Sequence, residues 1–339
     1  MILVLTSPDD THADRVCDLL DQADAPWFRF DPAAFPHSAQ LTVTTGATGL
    51  VQRLLVTRDH SLDLAQVTAL WYRRPQAPVV EVPGIDPSHN AALAEECQHL
   101  VRDLWETLAC LMVPASYWVI QRAQHKISQL QLATALGFEL PPTMVTNDPS
   151  ALIAFSRAHN GQIISKPCMG LALQRTGYYQ YTRPVTRRDL AAAETIHASP
   201  MIFQKLVPKA VEVRITVVGD QVFAVAIHSQ VSHHTRYDWR RYDHDHTPLT
   251  PHTLPPALAA QCVALVARMG LTYGAIDMIL TPNGRYIFLE INPNGQYLWV
   301  ESRTGVPISA AIARLLQTGT HRTVANLVVS EGGIACLLE

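Results

Sequence analysis

Residues 1–118 alternate between short apolar runs and stretches whose apolar positions recur with a helical period. The runs Ile2–Leu5, Trp27–Phe30 and Val67–Tyr72 are bounded by polar residues and predict strands, and Ala13–Leu20 predicts a helix between the first two. Asn90–Leu111 predicts a long helix, whose apolar stripe is Leu93, Cys97, Leu100, Leu104 and Leu108. An α/β domain is therefore predicted over residues 1–118.

Residues 119–200 predict a smaller second domain with the order helix, strand, helix, strand. The first helix opens at Lys126 and stops at Gly137, a residue that favours helix ends. Its apolar face is Ile127, Leu130, Ala133 and Leu136. The elements predicted next are a strand at Thr143–Val145, a helix at Ser150–His159 and a strand at Gln162–Ser165. The last strand ends at Lys166, which needs an anionic partner if it is buried.

Residues 201–330 predict a third domain that is dominated by strand hairpins. The predicted elements are a strand at Met201–Gln204, a hinge at Lys205–Lys209, a hairpin of Val211–Val218 with Val222–His228, and helices at Leu258–Met269 and Ile308–Leu316. Glu212 and Arg214 alternate with apolar residues of the hairpin, so both side chains lie on one face. A cross-strand ion pair of small energy is the plain interpretation of these two charges.

A second hairpin carries the candidate chemistry. Tyr286–Ile291 is rich in aromatic and β-branched residues and predicts a strand that joins the preceding apolar run through Asn283-Gly284, a strong two-residue turn signal. Glu290 and Asn292 are two positions apart and share a face. With a two-residue turn, counting back places Asp277 opposite Glu290. Three oxygen ligands are thus predicted on one patch of sheet.

Hard oxygen ligands suit Mg²⁺, which takes one or two carboxylates from protein and completes its octahedron with water and substrate phosphates. A nucleotide is therefore implied. The plain alternative is that Asp277 and Glu290 are ordinary polar positions on a solvated sheet face.

Composition narrows the class of protein. The chain has 339 residues, 48% of them hydrophobic, and a net charge of −3, which argues against nucleic-acid or membrane partners bound through bulk charge. MILVLTSPDD has no basic segment before its apolar run, and no eighteen apolar residues run together, so a cytoplasmic protein is expected. The six cysteines form no CxxC pair and predict reduced thiols. Neither GxGxxG after the first strand nor GxxxxGK[ST] occurs.

The pair of strands with D…ExNP resembles the metal site of the ATP-grasp ligases. The extension NPNGQYLWVE…TGVPISAAIARLL resembles the graspetide (microviridin-like) branch, whose members form ω-ester and ω-amide crosslinks in peptides, and WYRRP resembles the domain that precedes the ATP-grasp fold there. The resemblance spans nearly the whole chain. It implies an α/β (α+β) ATP-grasp fold with an N-terminal pre-ATP-grasp domain, using ATP and Mg²⁺.

The resemblance also assigns roles to individual residues. It implies phosphate contacts from Lys126 and Lys166, and from Arg240 in the DWR segment. Glu212 and Arg214 would face the nucleotide and acceptor, Arg214 stabilising the transferring phosphoryl group. The hinge that would pair with adenine is Gln204, Lys205, Leu206 and Val207, and the metal ligands would be Asp277, Glu290 and Asn292. The Gly-rich loop of the family is represented by KPCMGLAL, with Gly170 alone.

The predicted reaction is ATP-dependent closure of side-chain esters or amides in a precursor peptide with a leader and an acidic core. A carboxylate would be phosphorylated and then captured by a hydroxyl or amine. A ligase of free amino acids or of an α-carboxylate is the alternative enzyme, and an inactive nucleotide- or peptide-binding module is the alternative from another class. A homodimer remains open as a further partner.

Two features stay open at the sequence level. Arg73 and Arg74 at a strand end could be a solvated pair, could bond a neighbouring domain or could touch substrate. The polar segment 230–251, rich in His and Arg, is interpreted as a mobile acceptor-binding loop. A metal site there is the alternative, although its histidines match no zinc spacing.

Overall fold

The computed structural model describes residues 1–47, 49–168, 172–173, 178–179, 181–241, 243 and 246–318. Two regions that the sequence singled out, most of the loop around Gly170 and the tail after Thr318, lie outside the described residues. Across the described residues, each helix is too short or too polar to cross a membrane.

The N-terminal region forms a parallel sheet beside a small antiparallel one. Its elements are β1 (Ile2–Thr6), α1 (Thr11–Asp21), β2 (Trp27–Phe30), β3 (Ala39–Gly46), β4 (Gly49–Thr57), β5 (Ser61–Asp63), β6 (Ala69–Arg74), α2 (Pro87–Glu106) and β7 (Leu111–Val113). The parallel sheet has the order β2-β1-β6-β7, and β3, β4 and β5 form the second sheet. The five residues of β1 are all buried, which is typical of a central parallel strand.

The middle region contains an antiparallel sheet of order β12-β9-β13-β8. Its elements are α3 (Tyr117–Ala123), α4 (Lys126–Ala135), β8 (Thr143–Thr146), α5 (Pro149–Ala158), β9 (Ile163–Pro167), β10 (Ala172–Leu173), β11 (Tyr178–Tyr179), β12 (Arg183–Pro184), α6 (Arg187–Ala191) and β13 (Met201–Lys205). Leu152, Ile163 and Phe203 form the core under this sheet.

The C-terminal region is built on a sheet of order β16-β15-β14-β17-β18. Its elements are β14 (Val211–Val218), β15 (Gln221–Ile227), β16 (Leu249–His252), α7 (Pro256–Arg268), β17 (Tyr273–Leu280), β18 (Tyr286–Asn292), α8 (Leu298–Thr304) and α9 (Ile308–Thr318). One face packs on α7 and, through Ala133, on α4, while α9 packs against α1 of the N-terminal region.

Two predicted stretches differ in the structure. The helix predicted to run to Leu111 ends at Glu106, and Leu111 lies in β7 instead. Leu93 and Leu100 of the predicted stripe are 42% and 38% exposed, whereas Leu104 and Leu108 of the same stripe are buried beside Trp105. Ile127 of α4 is also exposed rather than inward. A helical period does not by itself select which part of a stripe meets the sheet.

Two segments also belong to sheets other than those of the domains to which the sequence assigned them. Residues 201–205 were assigned to the third domain, but β13 is hydrogen-bonded between β8 and β9 in the middle sheet. Ile120, Ala123 and Ala133 of α3 and α4, assigned to the second domain, pack in the core of the C-terminal sheet. The chain therefore crosses between the two sheets at residues 136–142 and again at residues 206–210.

Candidate active site between two sheets

The register of β17 and β18 brings the two acidic residues together. Asp277 pairs with Glu290, as the sequence predicted, and Ala275 pairs with Asn292. The hairpin that produces this pairing differs from the predicted one. Thr281 pairs with Arg285 around a three-residue turn, and a bulge follows at Leu289. The longer turn shifts the register by one residue and the bulge restores it.

Glu290 lies among three cations. Its Oε2 is 2.9 Å from the Lys126 Nζ, and its Oε1 is 3.8 Å from the Arg240 NH1. Burial opposes ionisation of Glu290, but the charges of Lys126, Lys166 and Arg240 outweigh it and hold its pKa well below the usual range. Glu290 is therefore ionised at neutral pH.

The positive charge of Lys166 is only partly offset by neighbouring carboxylates. Burial lowers its pKa, and Lys126 and Arg240 lower it further, against the attraction of Glu290. Three cations thus surround the Glu290 carboxylate at this end of the cleft, and one of them, Arg240, is also paired with Asp238. A bound polyanion would relieve their mutual repulsion, which is a property expected of a phosphate site.

Arg214 and Asp277 form a buried ion pair across β14 and β17. The Arg214 NH1 donates to both carboxylate oxygens of Asp277, at 3.0 and 2.8 Å, and its NH2 donates to the Gln296 carbonyl at 3.0 Å. The exposed fractions of the two side chains are 6% and 14%. Burial would lower the pKa of Arg214, but Asp277 outweighs it and raises that pKa, so the guanidinium stays charged.

The donor set fits a magnesium ion. Asp277, Glu290 and Asn292 present carboxylate and amide oxygens from one face of two paired strands. Burial raises the pKa of Asp277, and Arg214 acts against this rise. Mg²⁺ usually takes one or two carboxylates from protein, and Asp277 and Glu290 supply two.

A cleft runs from this site towards the hinge. The hinge residues Gln204, Lys205, Leu206 and Val207 line one end of it, and Glu290 and Asp277 the other. Gln204 is buried, and its Nε2 donates to the Thr143 Oγ1 at 2.9 Å. Predicted hinge and metal residues thus border one cleft between the middle and C-terminal sheets.

Glu212 lies in the same cleft with a different partner from the one considered in the sequence. Its Oε1 accepts hydrogen bonds from the Lys209 Nζ at 2.7 Å and the Ser229 Oγ at 2.9 Å. Burial raises the pKa of Glu212, and Lys209 acts in the opposite direction. Glu212 therefore pairs with Lys209, whereas Arg214 pairs with Asp277.

The segment that follows β15 is anchored at its centre. Asp238 is buried; it accepts a bond from the Thr182 backbone nitrogen at 2.9 Å and two from the Arg240 guanidinium at 2.8 Å. Trp239 stacks on Trp299 of α8 with ring centroids 4.6 Å apart. These contacts orient Arg240 towards Glu290. The end of the segment forms β16, which the sequence placed in the loop.

Comparisons with known proteins support one family. The family model of the MvdD pre-ATP grasp domain matches residues 1–119. The crystal structure of the macrocyclase MdnC bound with precursor peptide MdnA, from Microcystis aeruginosa MRC, has 35% identity and a TM-score of 0.82, and the match covers 94% of this chain and 99% of that one.

This chain belongs to the ATP-grasp ligases that mature graspetides. The macrocyclase MdnB from the same organism has 34% identity and a TM-score of 0.76, with 93% and 98% of the two chains covered. A RiPP-associated ATP-grasp ligase of Chryseobacterium gregarium, in complex with ADP and a leader and core peptide, has 29% identity and a TM-score of 0.85, with 94% and 97% covered. A comparison with curated protein sequences gives no match.

The ligase also contains site residues that the sequence did not single out. Gln129 of α4 is 1% exposed, and its side chain donates to the Ile291 carbonyl at 2.8 Å and accepts from the Ile291 nitrogen at 3.2 Å. It thereby fixes the backbone beside Glu290. A glutamine three residues after Lys126, inside an otherwise apolar helical stripe, is the signal that could have identified it.

A second set of contacts ties the loop at residues 293–297, which follows the predicted metal ligand Asn292 and is named the metal loop for that reason, to the N-terminal region. The Arg73 NH1 donates to the carbonyl and side-chain oxygens of Asn294, both at 3.3 Å, and the Asn294 amide donates to the backbone oxygens of Tyr72 and Arg73. Arg73 is 2% exposed, and its Nε lies 3.4 Å from Asp10. Of the roles left open for Arg73, bonding a neighbouring region is the one that the structure shows.

His12 holds the next part of that loop. Its Nε2 is 3.3 Å from the Tyr297 nitrogen and 3.2 Å from the Leu298 nitrogen, and its Nδ1 is 3.4 Å from Asp10. The His12 Nε2 accepts the hydrogen bonds of both backbone nitrogens. The first turn of α1 thus fixes residues that follow Asn292.

We expect Asn294→Ala to raise the Mg²⁺ concentration needed for half-maximal ATP turnover by about 10–100-fold, the usual cost of removing a residue that positions a metal ligand. The Asn294 nitrogen donates to the Asn292 Oδ1 at 3.0 Å, and the substitution removes the side chain that fixes this backbone. A Mg²⁺ titration at saturating ATP measures the shift. Asn90→Ala, in the first turn of α2, is the matched control, and equal Mg²⁺ curves for both variants contradict the positioning role.

Proposed function

We propose that this ligase binds ATP in the cleft between its middle and C-terminal sheets and uses it to close side-chain ester or amide rings in a precursor peptide. The phosphates would lie on Lys126, Lys166 and Arg240, and the base on the hinge Gln204–Val207. The arrangement of three cations around one ionised carboxylate at the end of the cleft carries this proposal.

Asp277, Glu290 and Asn292 would hold Mg²⁺. When bound, the ion would neutralise negative charge on the phosphates of the nucleotide. A solved structure of the ligase PsnB contains Mg and ADP with a minimal precursor. At 24% identity, that likeness shows a common fold, and the ligand assignment in this chain rests on its own oxygen donors.

The proposed reaction has two steps. A carboxylate oxygen of an Asp or Glu side chain attacks the γ-phosphorus, the bond to ADP breaks, and an acyl phosphate remains. A hydroxyl of Ser or Thr, or the amine of Lys, then attacks the acyl carbon, phosphate leaves, and the nucleophile loses its proton. Each ring consumes one ATP and removes one water from the peptide.

The protein's part is positioning and charge stabilisation, since phosphoryl transfer needs little covalent work from the enzyme. Arg214 is preorganised for this role by three hydrogen bonds that its guanidinium donates, two to the Asp277 carboxylate and one to the Gln296 carbonyl. Lys166 and Arg240 supply further positive charge where the phosphoryl group transfers. Glu212 would act on the hinge side of the nucleotide through Lys209.

The relatives support a peptide partner, since MdnC was solved with its precursor peptide and the Chryseobacterium gregarium ligase with leader and core peptides. We infer a precursor with a leader and an acidic core for this chain. A homodimer and a cytoplasmic location remain predictions, to be checked by solution mass and by fractionation.

Mass spectrometry of a co-expressed acidic precursor tests the reaction. We expect successive losses of one water, and fragmentation that fails inside each ring, because cutting one backbone bond there no longer separates two pieces. Expression of the precursor alone is the control. An unchanged peptide mass, with ADP released in the presence of free amino acids, contradicts ring closure and supports the amino-acid ligase.

A further inference from the structure

A second cleft lies between β6, α2 and α3, outside the nucleotide site. Tyr72 and Arg74 line it from β6, Arg102 and Trp105 from α2, and Tyr117 from α3. Among the residues that the structure describes, the two clefts have no lining residue in common. The sequence singled out Arg74 without a role, and the proposed chemistry does not use it.

The alternation of β6 divides its two arginines. Arg73 turns towards Asp10 and Asn294 and is buried, whereas Tyr72 and Arg74 fall on the other face of the strand and reach the cleft. Arg74 is exposed. The adjacent arginines therefore have different roles: Arg73 anchors the metal loop, and Arg74 places its charge at the wall of the cleft.

Helix α2 contributes a face that is neither acidic nor wholly apolar. Gln98, Val101, Arg102 and Trp105 follow each other at helical spacing and all line the cleft. The Arg102 guanidinium lies over the Tyr117 ring, 4.2 Å from its centroid, which orients the charge. Glu106 on the same helix accepts a bond from the Trp118 nitrogen at 3.4 Å and is not part of the wall.

The lining as a whole has the composition of an acidic-peptide site. It holds two arginines and five side-chain amides, and no described lining residue is Asp or Glu; the amides are Gln76, Gln98, Gln121 and Gln124, and Asn294, whose amide is already bonded to β6. Arginine recognises carboxylates through paired hydrogen bonds, and amides can pair with an extended peptide backbone. Tyr72, Trp105 and Tyr117 add apolar surface for the intervening side chains.

The cleft ends at the metal loop. Asn294 lines it and lies two residues after Asn292, and its amide bonds to the backbone of β6. A peptide lying in the cleft would therefore have one end beside the residues proposed to hold the metal. This continuity distinguishes the cleft from a general anion patch on the surface.

We propose that this cleft binds an acidic stretch of the precursor peptide, with Arg74 and Arg102 pairing carboxylates that neighbour the one being phosphorylated. The inference rests on the proposed function for the identity of its ligand. Binding by two arginines predicts that affinity falls with ionic strength and with neutralisation of the peptide's acidic residues.

Fluorescence anisotropy of a labelled synthetic peptide of alternating Thr and Glu tests the inference, with saturating ADP and Mg²⁺ present to occupy the nucleotide site. We expect binding to the full chain that weakens with added salt, and a loss of at least about tenfold in the Arg74→Gln/Arg102→Gln variant. The same peptide with Gln for Glu serves as the peptide control. Arg268→Gln, on the exposed end of α7, is the matched protein control.

Several outcomes overturn the inference: no binding by the wild type, equal loss in Arg268→Gln, or binding that disappears when ADP and Mg²⁺ are added, which assigns the peptide to the phosphate site. Because Arg102 packs on Tyr117, the single variant Arg74→Gln and thermal melting of both variants separate lost binding from lost folding. The assay involves no turnover, so failure of ring closure leaves its result unaffected.

Discussion

Glu290→Gln is expected to abolish ATP turnover, with a loss of more than about 10³-fold, because metal binding contributes several kcal/mol of charge stabilisation in such reactions. The substitution removes the carboxylate that Lys126, Lys166 and Arg240 surround. Turnover is measured by ADP release at saturating ATP and Mg²⁺, with the precursor present. Thermal melting is recorded in parallel.

Glu139→Gln is the matched control for this variant, since the Glu139 side chain is 44% exposed and pairs with Arg285 at the surface. A surface pair of this kind contributes at most about 1 kcal/mol, so the control should keep wild-type turnover. If Glu290→Gln also keeps activity near wild type, the proposed metal site is wrong.

Asp277→Asn should abolish turnover as well, but the structure adds a cost that the sequence could not show. Asp277 is the buried counter-ion of Arg214, and removing one partner of a buried pair destabilises a fold by about 3–5 kcal/mol. Loss of activity in this variant therefore has to be read together with its melting temperature.

Arg214→Ala is expected to lower the turnover rate by about 10²–10³-fold, as removal of one preorganised donor usually does, with a smaller change in nucleotide affinity. Arg285→Ala, whose side chain is 55% exposed, is the matched arginine control. Measuring turnover rate and nucleotide affinity separately checks the split. A fall in affinity alone makes Arg214 a binding residue and contradicts its assigned role.

The same variant has an expected pH dependence. Burial already raises the pKa of Asp277, and Arg214 acts against this rise, so removing Arg214 raises that pKa further. A carboxylate with a higher pKa is protonated at higher pH and then no longer offers a charged oxygen. The residual turnover of Arg214→Ala should therefore increase with pH through a range where the wild type is level.

Much of the site could be predicted because its residues occupy short local patterns. Two-residue spacing in a strand fixes the common face of Glu290 and Asn292, whatever surrounds them. The pairing of Asp277 with Glu290 was also predicted, but through an assumed two-residue turn. The structure reaches the same pairing with a longer turn and the bulge at Leu289, two changes that cancel.

Other features depend on distant parts of the chain. Gln129 and His12 fix the backbone around β18 from positions 162 and 285 residues away, and no local pattern relates them to it. The ion-pair partners of Glu212 and Arg214 were also undetermined, because alternation along the strand places both side chains on one face without identifying the charges opposite them. In the structure Glu212 pairs with Lys209, and Arg214 pairs with Asp277.

The sequence by itself determined the main strands and helices, the shared face of Glu290 and Asn292, and the family, since each depends on neighbours along the chain. Only the tertiary structure decided which part of the α2 stripe is buried, that β3, β4 and β5 form a second sheet, that β13 completes the middle sheet, and that Arg73 anchors the loop after Asn292 while Arg74 faces a second cleft. The physical reason is that burial and ion pairing are fixed by what packs against a side chain, and those partners come from elements far apart in sequence.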